Sequence, residues 1–277
     1  MDLGLKGVHV LITGASGGIG LETASLFIDI TAHGANVTLH CNSNPVAITA
    51  LMEMHGRDRV HCVMANLAEE DKVEKIFYWS SVQFGPVQIL IVLHGIWPKE
   101  DVPLVDMSLS QWSNTLQTNL TSSFLVCREY LRALSNPDTS AALKENASIV
   151  LIGSTAGKFG EAGHADYAVS KGAMMSGLVK SLAVELPKIA PRGRVNCIAP
   201  GWVNTPLAAE ALQNPRMAYK ALATTPLKKV ATKKDIANQI AWIASNTVSG
   251  HVTGEVIMVA GGMEGRLLNT YEEVMSA

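Results

Sequence analysis

The chain has 277 residues, 48% of them hydrophobic, and its 22 Lys and Arg against 24 Asp and Glu give a formal charge of -2. A chain of this length and apolar content buries a large core, and α/β folds of this size often form one domain, so a single domain over residues 1–277 is predicted. No strongly basic or acidic block is present, which argues against nucleic acid or an anionic membrane and favours a small-molecule partner.

The N-terminus and the cysteines bear on location. The first residues run from a short polar lead into an apolar strand without a secretory signal pattern, and no apolar run approaches the ~20 residues of a membrane span. The four cysteines, Cys41, Cys62, Cys127 and Cys197, lie in apolar patterns without C-x-x-C spacing. This favours buried thiols over metal ligands or disulfides, so a reducing, cytoplasmic compartment is expected.

Short aliphatic runs alternate with longer helical patterns along the chain. Seven runs are predicted to be strands, at 9–14, 36–41, 60–66, 88–95, 148–154, 194–200 and 255–261. The longest helical patterns cover 19–34, 70–85, 109–134, 166–190 and 233–245. Aliphatic strands separated by helices of this length are typical of βαβ units, so we predict an α/β fold with a parallel sheet covered on both faces.

The first chemical motif is LITGASGGIG at 11–20. Gly14, Gly18 and Gly20 follow a strand and open a helix, where glycines let the backbone turn sharply and approach a pyrophosphate above helix-terminal N–H groups. This setting predicts a dinucleotide-binding site in which Ser16 and Ile19 also contact the cofactor. The alternative is a tight turn without a ligand.

The end of the second strand bears on the choice of cofactor. In dinucleotide folds an Asp or Glu here hydrogen-bonds the ribose hydroxyls and repels a 2′-phosphate. This chain reads TLHCNSNP at 38–45, without a carboxylate. Asn42, Ser43 and Asn44 are predicted to donate to a phosphate that lies near His40, so NADP(H) is favoured over NAD(H). The alternative is a helix-capping turn, and the same residues can serve both roles.

Tyr167 and Lys171 lie four positions apart in a helical pattern, and Ser154 ends the fifth strand. Residues four apart share one helical face, and ligands of open parallel sheets bind at the C-terminal strand ends, where Ser154 and the glycine turn both belong. An ammonium close to a phenol stabilises phenolate and is expected to lower the pKa of Tyr167 from about 10. Tyr167 is therefore predicted to donate and accept a proton.

Five motifs follow one another in chain order: TGASGGIG at 13–20, Asn119, Ser154, Tyr167-x-x-x-Lys171 and PGWVNT at 200–205. In this combination the chain, from Val8 to about Met263, resembles the short-chain dehydrogenase/reductase family in its single-domain branch. The resemblance implies a doubly wound, Rossmann-type parallel sheet of about seven strands, a nicotinamide cofactor, and reversible hydride transfer between a carbonyl and an alcohol.

The resemblance also implies a role for each motif residue. Tyr167 is the general acid for reduction and the base for oxidation, Lys171 holds the nicotinamide ribose and lowers the pKa of Tyr167, and Ser154 hydrogen-bonds the substrate oxygen. Asn119 binds a water that links Lys171 to solvent. The implied cofactor contacts are Asn66, Leu67 and Gly95 on the adenosine side and Pro200, Gly201, Val203 and Thr205 around the nicotinamide.

Some positions depart from the family pattern or have a structural alternative. The segment after the fourth strand reads VLHG where the family has N-N-A-G, and His94 is expected to be a buried neutral histidine rather than a second base. Asn66 stands in place of a common aspartate, but its carbonyl can still accept from adenine. Taken singly, Ser154, Asn119 and Thr205 can be read as a turn residue, a core polar group and a helix cap.

Residues 202–229 carry three prolines and little periodicity, and they are predicted to form a substrate lid. The residues predicted to contact the substrate are Trp97, Ser154, Phe159, His164, Trp202, Met217 and Tyr219. Their large apolar surfaces favour a hydrophobic or aromatic carbonyl compound. Together with the favoured NADP(H), the family resemblance implies a ketoreductase. The alternatives are an NAD-dependent alcohol dehydrogenase and a non-catalytic dinucleotide-binding sensor or scaffold.

Two long helical patterns around 111–134 and 166–187 carry few charges. Helices of this kind can form an apolar contact between protomers. By the family's habit a homotetramer is predicted, with a homodimer as the alternative.

Overall fold

A computed structural model describes residues 2–29 and 34–267. The strands in this part of the chain are β1 (His9–Thr13), β2 (Asn36–Cys41), β3 (Val60–Met64), β4 (Ile89–Val92), β5 (Ser148–Ile152), β6 (Arg194–Pro200) and β7 (Val256–Val259). The helices are α1 (Gly18–Asp29), α2 (Val46–His55), α3 (Glu70–Phe84), α4 (Leu109–Leu116), α5 (Ser122–Ser135), α6 (Ala141–Lys144), α7 (Thr155–Phe159), α8 (Ala165–Ala173), α9 (Val179–Ile189), α10 (Pro206–Gln213), α11 (Pro215–Ala223), α12 (Lys233–Ala244) and α13 (Asn246–Ser249).

The seven strands form one parallel sheet in the order β3-β2-β1-β4-β5-β6-β7. This confirms the predicted seven-stranded, doubly wound α/β sheet. The chain leaves β1 toward one edge of the sheet and returns to build outward from β4 toward the other. In such sheets the crevice for a ligand opens at the carboxyl ends of the strands where the order reverses, here between β1 and β4.

Hydrophobic side chains cover both faces of the sheet. On one face the core includes Phe27 of α1 and Ile240 of α12, and on the other it includes Phe77 of α3, Tyr130 of α5 and Leu186 of α9. Burial on both faces explains why the central strands read as continuous aliphatic runs rather than as an alternating pattern. Between Gly18 and Asp29, α1 confirms the start of the predicted helix at 19–34, whereas 30–33 lie outside the described residues.

The two longest helical patterns each contain a π-helical turn. Gln117–Thr121 joins α4 to α5, and Met174–Leu178 joins α8 to α9. The predicted helices at 109–134 and 166–190 are therefore confirmed in extent, but each contains a π-helical turn of five residues near its middle. Turns of this kind are frequent at functional sites, and Asn119 lies within the first.

Residues 202–229 contain two short helices, α10 and α11, rather than an irregular loop. Each begins with a proline at its first turn, where the missing N–H costs nothing because helix-terminal N–H groups lack intrahelical partners. The exposed ion pair between Lys99 and Glu210, at 2.9 Å, ties this segment to the loop after β4. Within 2–29 and 34–267, no helix combines the length and apolar character needed to cross a bilayer.

Candidate active site

A cavity of about 710 Å³ opens at the carboxyl ends of the strands, above β1 and β4. It brings together most of the residues that the sequence singled out. The predicted residues that line it are Gly14, Ser16, Gly18, Ile19, Gly20, His40, Asn42, Asn66, Leu67, Gly95, Trp97, Ser154, Tyr167, Lys171, Pro200, Gly201, Trp202, Val203 and Thr205. The glycine turn and the tyrosine-lysine pair thus share one cavity.

Four of the predicted substrate residues do not line this cavity. Phe159 packs under the ammonium of Lys158, at 5.1 Å from the ring centroid, and Met217 and Tyr219 lie on α11, with Tyr219 67% exposed. His164 is buried behind Trp97, on which it stacks at 4.7 Å, and one ring nitrogen of His164 contacts the Pro98 carbonyl at 2.9 Å. The structure does not bring these four side chains to the cavity, because sequence places a residue near the strand ends but does not fix its side-chain direction, and their contact with a substrate stays a prediction.

At the glycine turn before α1, the backbone lies very close to the backbone of the segment that follows β4. Gly14 has a φ of +64°, and a Cβ there would lie 2.7 Å from the Cα of His94 on the neighbouring segment. Only glycine fits such a position without moving the backbone. α1 begins at Gly18, and the first N–H groups of a helix have no intrahelical partner, so they are available to an anionic ligand.

His40 braces this turn from β2. Its Nδ1 accepts from the Gly14 N–H at 3.2 Å and its Nε2 donates to the Ala65 carbonyl at 2.9 Å, with the ring 2% exposed. Burial lowers the pKa of His40 and keeps it neutral. Both ring nitrogens of His40 are thus used by backbone groups, and its place beside the cofactor phosphate stays a prediction.

The adenosine side of the cavity carries short polar side chains. Asn42 is exposed and lines the cavity, whereas Ser43 is exposed outside it, so only the former is placed as predicted. Asn66 also lines the cavity, but its carbonyl oxygen accepts from the Ala68 N–H at 3.1 Å and its amide donates to Glu69 at 3.0 Å. One lone pair of that oxygen remains for a further donor.

Ser154 and Tyr167 approach one another on the opposite wall. Ser154 precedes α7 and accepts from the Ala156 N–H at 3.1 Å, which fixes its side chain at the helix start. The pKa of Tyr167 is raised to about 12: burial is the largest cause and Glu161 adds to it, while the hydrogen bond with Ser154 and the charge of Arg266 act in the opposite direction. The expected lowering of this pKa is therefore wrong for this structure, because burial outweighs the stabilisation of phenolate.

Lys171 is buried beneath the tyrosine on the same face of α8. Its ammonium donates to the Ile152 carbonyl at 2.8 Å and lies 5.9 Å from the Tyr167 ring centroid. Burial lowers the pKa of Lys171 to about 8, against a smaller opposing effect of Cys197. The Lys171 ammonium thus lies near the Tyr167 ring and is hydrogen-bonded to the Ile152 carbonyl at the end of β5. This position explains why the ammonium does not determine the pKa of the Tyr167 hydroxyl.

Asn119 supports the site from behind and does not line the cavity. Its Oδ1 accepts from the Ile96 N–H at 2.8 Å, and its Nδ2 donates to the Ile96 carbonyl at 2.9 Å and to Ser170 at 3.2 Å. Both amide donors are thereby used to hold the segment after β4 against α8. The predicted water relay stays a prediction, and the observed role of the side chain is to position these two elements.

His94, the unusual residue of the VLHG segment, bridges two elements. Its Nδ1 lies 2.8 Å from the Thr13 hydroxyl and its Nε2 lies 2.7 Å from the Ser122 hydroxyl. Burial lowers the pKa of His94 to about 3, with smaller effects of His40 and Lys171. The expected neutral histidine is confirmed.

Comparison with known proteins settles the family. A family model described as Enoyl-(Acyl carrier protein) reductase matches residues 14–264. The chain belongs to the short-chain dehydrogenase/reductase family. It is therefore an oxidoreductase of a family that uses a nicotinamide cofactor.

Relatives in this family match over almost the whole chain. The 3-oxoacyl-acyl-carrier-protein reductase FabG of Escherichia coli is 31% identical over 264 residues, which cover 94% of this chain and 99% of the relative. Nodulation protein G of a Rhizobium species is 33% identical over 260 residues, covering 94% and 98%. A crystal structure titled short-chain dehydrogenase/reductase SDR:Glucose/ribitol dehydrogenase, from Brucella melitensis, superposes with a TM-score of 0.82 at 34% identity, covering 95% and 99%.

This short-chain dehydrogenase/reductase also has cavity residues that were not predicted from the sequence, among them Ile96, Leu207, Ala208, Glu161 and Arg266. Arg266 lies beyond the residues matched by the family model and close to the end of the described chain, so no motif points to it. Glu161 lies between the Ser154 and Tyr167 motifs, and a carboxylate in that short loop is the one signal that draws attention to it.

Proposed function

We propose that the protein is an NADP(H)-dependent ketoreductase, which transfers a hydride between the nicotinamide and a carbonyl or secondary alcohol with a hydrophobic or aromatic body. The observation that carries the proposal is that Ser154, Tyr167 and Lys171 line the same cavity as the glycine turn of α1. A proton donor, an oxygen-binding hydroxyl and a dinucleotide cradle in one cavity are the parts that carbonyl reduction needs.

Each of these groups has a distinct task in the proposed reaction. Tyr167 donates its phenolic proton to the substrate oxygen during reduction and takes it back during oxidation. Ser154 donates a hydrogen bond to the same oxygen and so favours the charge that develops there. Lys171, held by the Ile152 carbonyl, supplies a positive charge beside the phenol and a donor toward the cofactor ribose.

The cradle for the cofactor fits a dinucleotide by its shape and its donors. A Cβ at Gly14 would collide with backbone, and the first turn of α1 presents N–H groups to the cavity. When bound there, the cofactor supplies the hydride. Thr205 precedes α10 without a side-chain cap hydrogen bond, so its hydroxyl is available for the predicted contact beside the nicotinamide.

The choice of NADP(H) is supported by the end of β2. No carboxylate occurs at 38–45, and Asn42 lines the cavity at the place where an acidic residue would repel a 2′-phosphate. The names of the relatives support carbonyl and alcohol chemistry, since they include a 3-oxoacyl-acyl-carrier-protein reductase and a glucose/ribitol dehydrogenase.

The experiment that tests this proposal follows the absorbance of the reduced nicotinamide with a panel of aliphatic and aromatic ketones. We expect turnover with at least one ketone and a kcat/KM for NADPH at least about tenfold above that for NADH, since one charge-assisted contact separates the two. A preference for NADH would favour the NAD-dependent alternative. Tight binding of cofactor without turnover of any ketone or alcohol would favour the non-catalytic sensor.

A further inference from the structure

A charged pair lies on the cavity wall beside Ser154 and Tyr167. Glu161 lies in the loop between α7 and α8, and Arg266 lies in the segment that follows β7. Both line the cavity, and their side chains are 16% and 22% exposed. Both charges also act on the ionisation of Tyr167, in opposite directions, which places them close to the reacting end of the cavity.

The two charged groups do not satisfy one another. The nearest atoms, Arg266 Nη2 and Glu161 Oε2, are 3.7 Å apart, which is too long for a hydrogen bond. Arg266 donates from Nε to the Gly160 carbonyl at 3.1 Å and from Nη2 to the Thr155 hydroxyl at 3.4 Å. A guanidinium has five N–H groups, so within the described residues the greater part of its donor capacity is unspent.

Partial burial of these two charged side chains costs free energy of desolvation. Burial raises the pKa of Glu161, and only the charges of Arg266 and His164 and a hydrogen bond from Trp97 oppose it, while Asp101 raises the pKa further. Removing two charges from water without good mutual hydrogen bonds gains little stability. The desolvation cost of Glu161 and Arg266 is explained if a bound ligand supplies the hydrogen bonds that the two side chains do not make to each other.

The charges of the pair select the chemistry of that ligand. An anionic group would be attracted by the Arg266 guanidinium but repelled by the Glu161 carboxylate. A cationic group would be attracted by the carboxylate but repelled by the guanidinium. A hydroxyl avoids both penalties, because it donates one hydrogen bond to the carboxylate and accepts another from the guanidinium.

We propose that Glu161 and Arg266 together bind a hydroxyl group of the substrate, so that the enzyme selects ketones that carry a hydroxyl at a distance from the reacting carbonyl. This inference rests on the proposed ketoreductase activity and adds a polar anchor to the apolar walls formed by Trp97 and Trp202. The corresponding alcohol products are diols.

The test compares methyl ketones of about four to six carbons, each with and without a terminal hydroxyl, so that the range of lengths spans the distance to the pair. Hydrogen bonds to charged groups predict that kcat/KM is about ten- to a hundredfold higher for the best hydroxylated ketone than for its unsubstituted partner. Glu161→Gln and Arg266→Gln should each reduce this ratio at least about fivefold, and Arg266→Lys should retain part of it.

Matched controls come from an exposed ion pair elsewhere. Arg192 and Glu145 are 2.9 Å apart with side chains 63% and 51% exposed, and they do not line the cavity. Arg192→Gln and Glu145→Gln should leave the ratio unchanged. A ratio near one in the wild-type enzyme, or a ratio that survives both cavity substitutions, would overturn the inference.

A binding measurement separates this inference from the proposed function. Calorimetry on the enzyme loaded with reduced nicotinamide cofactor compares diols with the matched mono-alcohols and requires no turnover. Tighter binding of the diol, lost in Glu161→Gln, supports the hydroxyl site even if no ketone is reduced, in which case only the proposed activity fails. Equal binding of the two alcohols, or binding of neither, would overturn the hydroxyl site.

Discussion

Burial, together with the opposite charges of Glu161 and Arg266, sets the pKa of Tyr167 and so determines when its hydroxyl can give or take a proton. Reduction requires the protonated phenol and oxidation requires phenolate. Because burial raises the pKa of Tyr167 to about 12, the proton-donor form prevails at neutral pH. The residue is thus prepared for reduction, and oxidation should become faster as the pH rises.

The charges of Glu161 and Arg266 predict opposite shifts of the pH profile for alcohol oxidation. Glu161→Gln removes a negative charge that raises the pKa of Tyr167, so the rise in kcat/KM should move to lower pH. Arg266→Gln removes a positive charge that lowers this pKa, so the rise should move to higher pH. Profiles of kcat/KM against pH check the prediction, with Glu145→Gln as the control, and two shifts in the same direction would contradict it.

Individual residues also show which features of the site can be predicted from the sequence. The motif residues Ser154, Tyr167 and Lys171 were predicted to meet, and they line one cavity because a strand end and one helical face carry them. The predicted direction of the Tyr167 pKa was wrong, since burial is a property of the whole fold that no local spacing reports. His164 was predicted at the substrate, yet it packs behind Trp97.

At the scale of elements, the π-helical turn between α4 and α5 joins the two halves of the site. It carries Asn119, which holds both backbone groups of Ile96 and the hydroxyl of Ser170. The segment after β4 is thereby tied to α8, the helix of the tyrosine and lysine. The turn itself was not predicted, because a π-helical turn leaves the helical hydrophobic period almost unchanged over so few residues.

Asn119→Ala tests this link. The substitution leaves the half-buried N–H and carbonyl of Ile96 without these partners, so we expect a loss of about 1–3 kcal/mol in the free energy of unfolding and a fall of about tenfold or more in kcat. Urea denaturation and steady-state kinetics measure both. Asn238→Ala, on the exposed face of α12, is the matched control. Equal effects of the two substitutions would show that the link is unimportant.

The seven strands and the long helices were predicted at the element scale because the strands are continuous aliphatic runs and longer helical patterns separate them. The segment at 202–229 was predicted as a lid without its two helices. Few of its side chains are buried, and Ala221 is the buried residue that anchors α11, so the periodic signal of a packed helix is weak. Its role as a lid remains a prediction.

At the scale of the whole molecule, apolar side chains remain exposed on the helices predicted to join protomers. Phe124 of α5, Val169 of α8 and Val184 of α9 are 44%, 45% and 65% exposed. Single exposed hydrophobic residues are common, but several on neighbouring long helices favour association.

The homotetramer that the family resemblance implies, with a homodimer as the alternative, remains a prediction to be tested at this surface. Light scattering should give a mass of about four times the 29.5 kDa chain. Phe124→Glu and Val184→Glu place a charge in the expected contact and should yield smaller species, whereas Val82→Glu, on the exposed face of α3, should not. A monomeric wild-type protein, or dissociation by the control substitution alone, would contradict the assignment.

The most direct measurement of the central claim is hydride transfer by Tyr167→Phe with a ketone that the wild-type enzyme reduces. The substitution removes one hydroxyl from a half-buried ring on the cavity wall and leaves Lys171 and the glycine turn in place. We predict a fall in kcat/KM of at least about a hundredfold, the usual contribution of a positioned proton donor, with the Kd for NADPH changed by less than about threefold. Retention of wild-type kcat/KM by this variant would contradict the account.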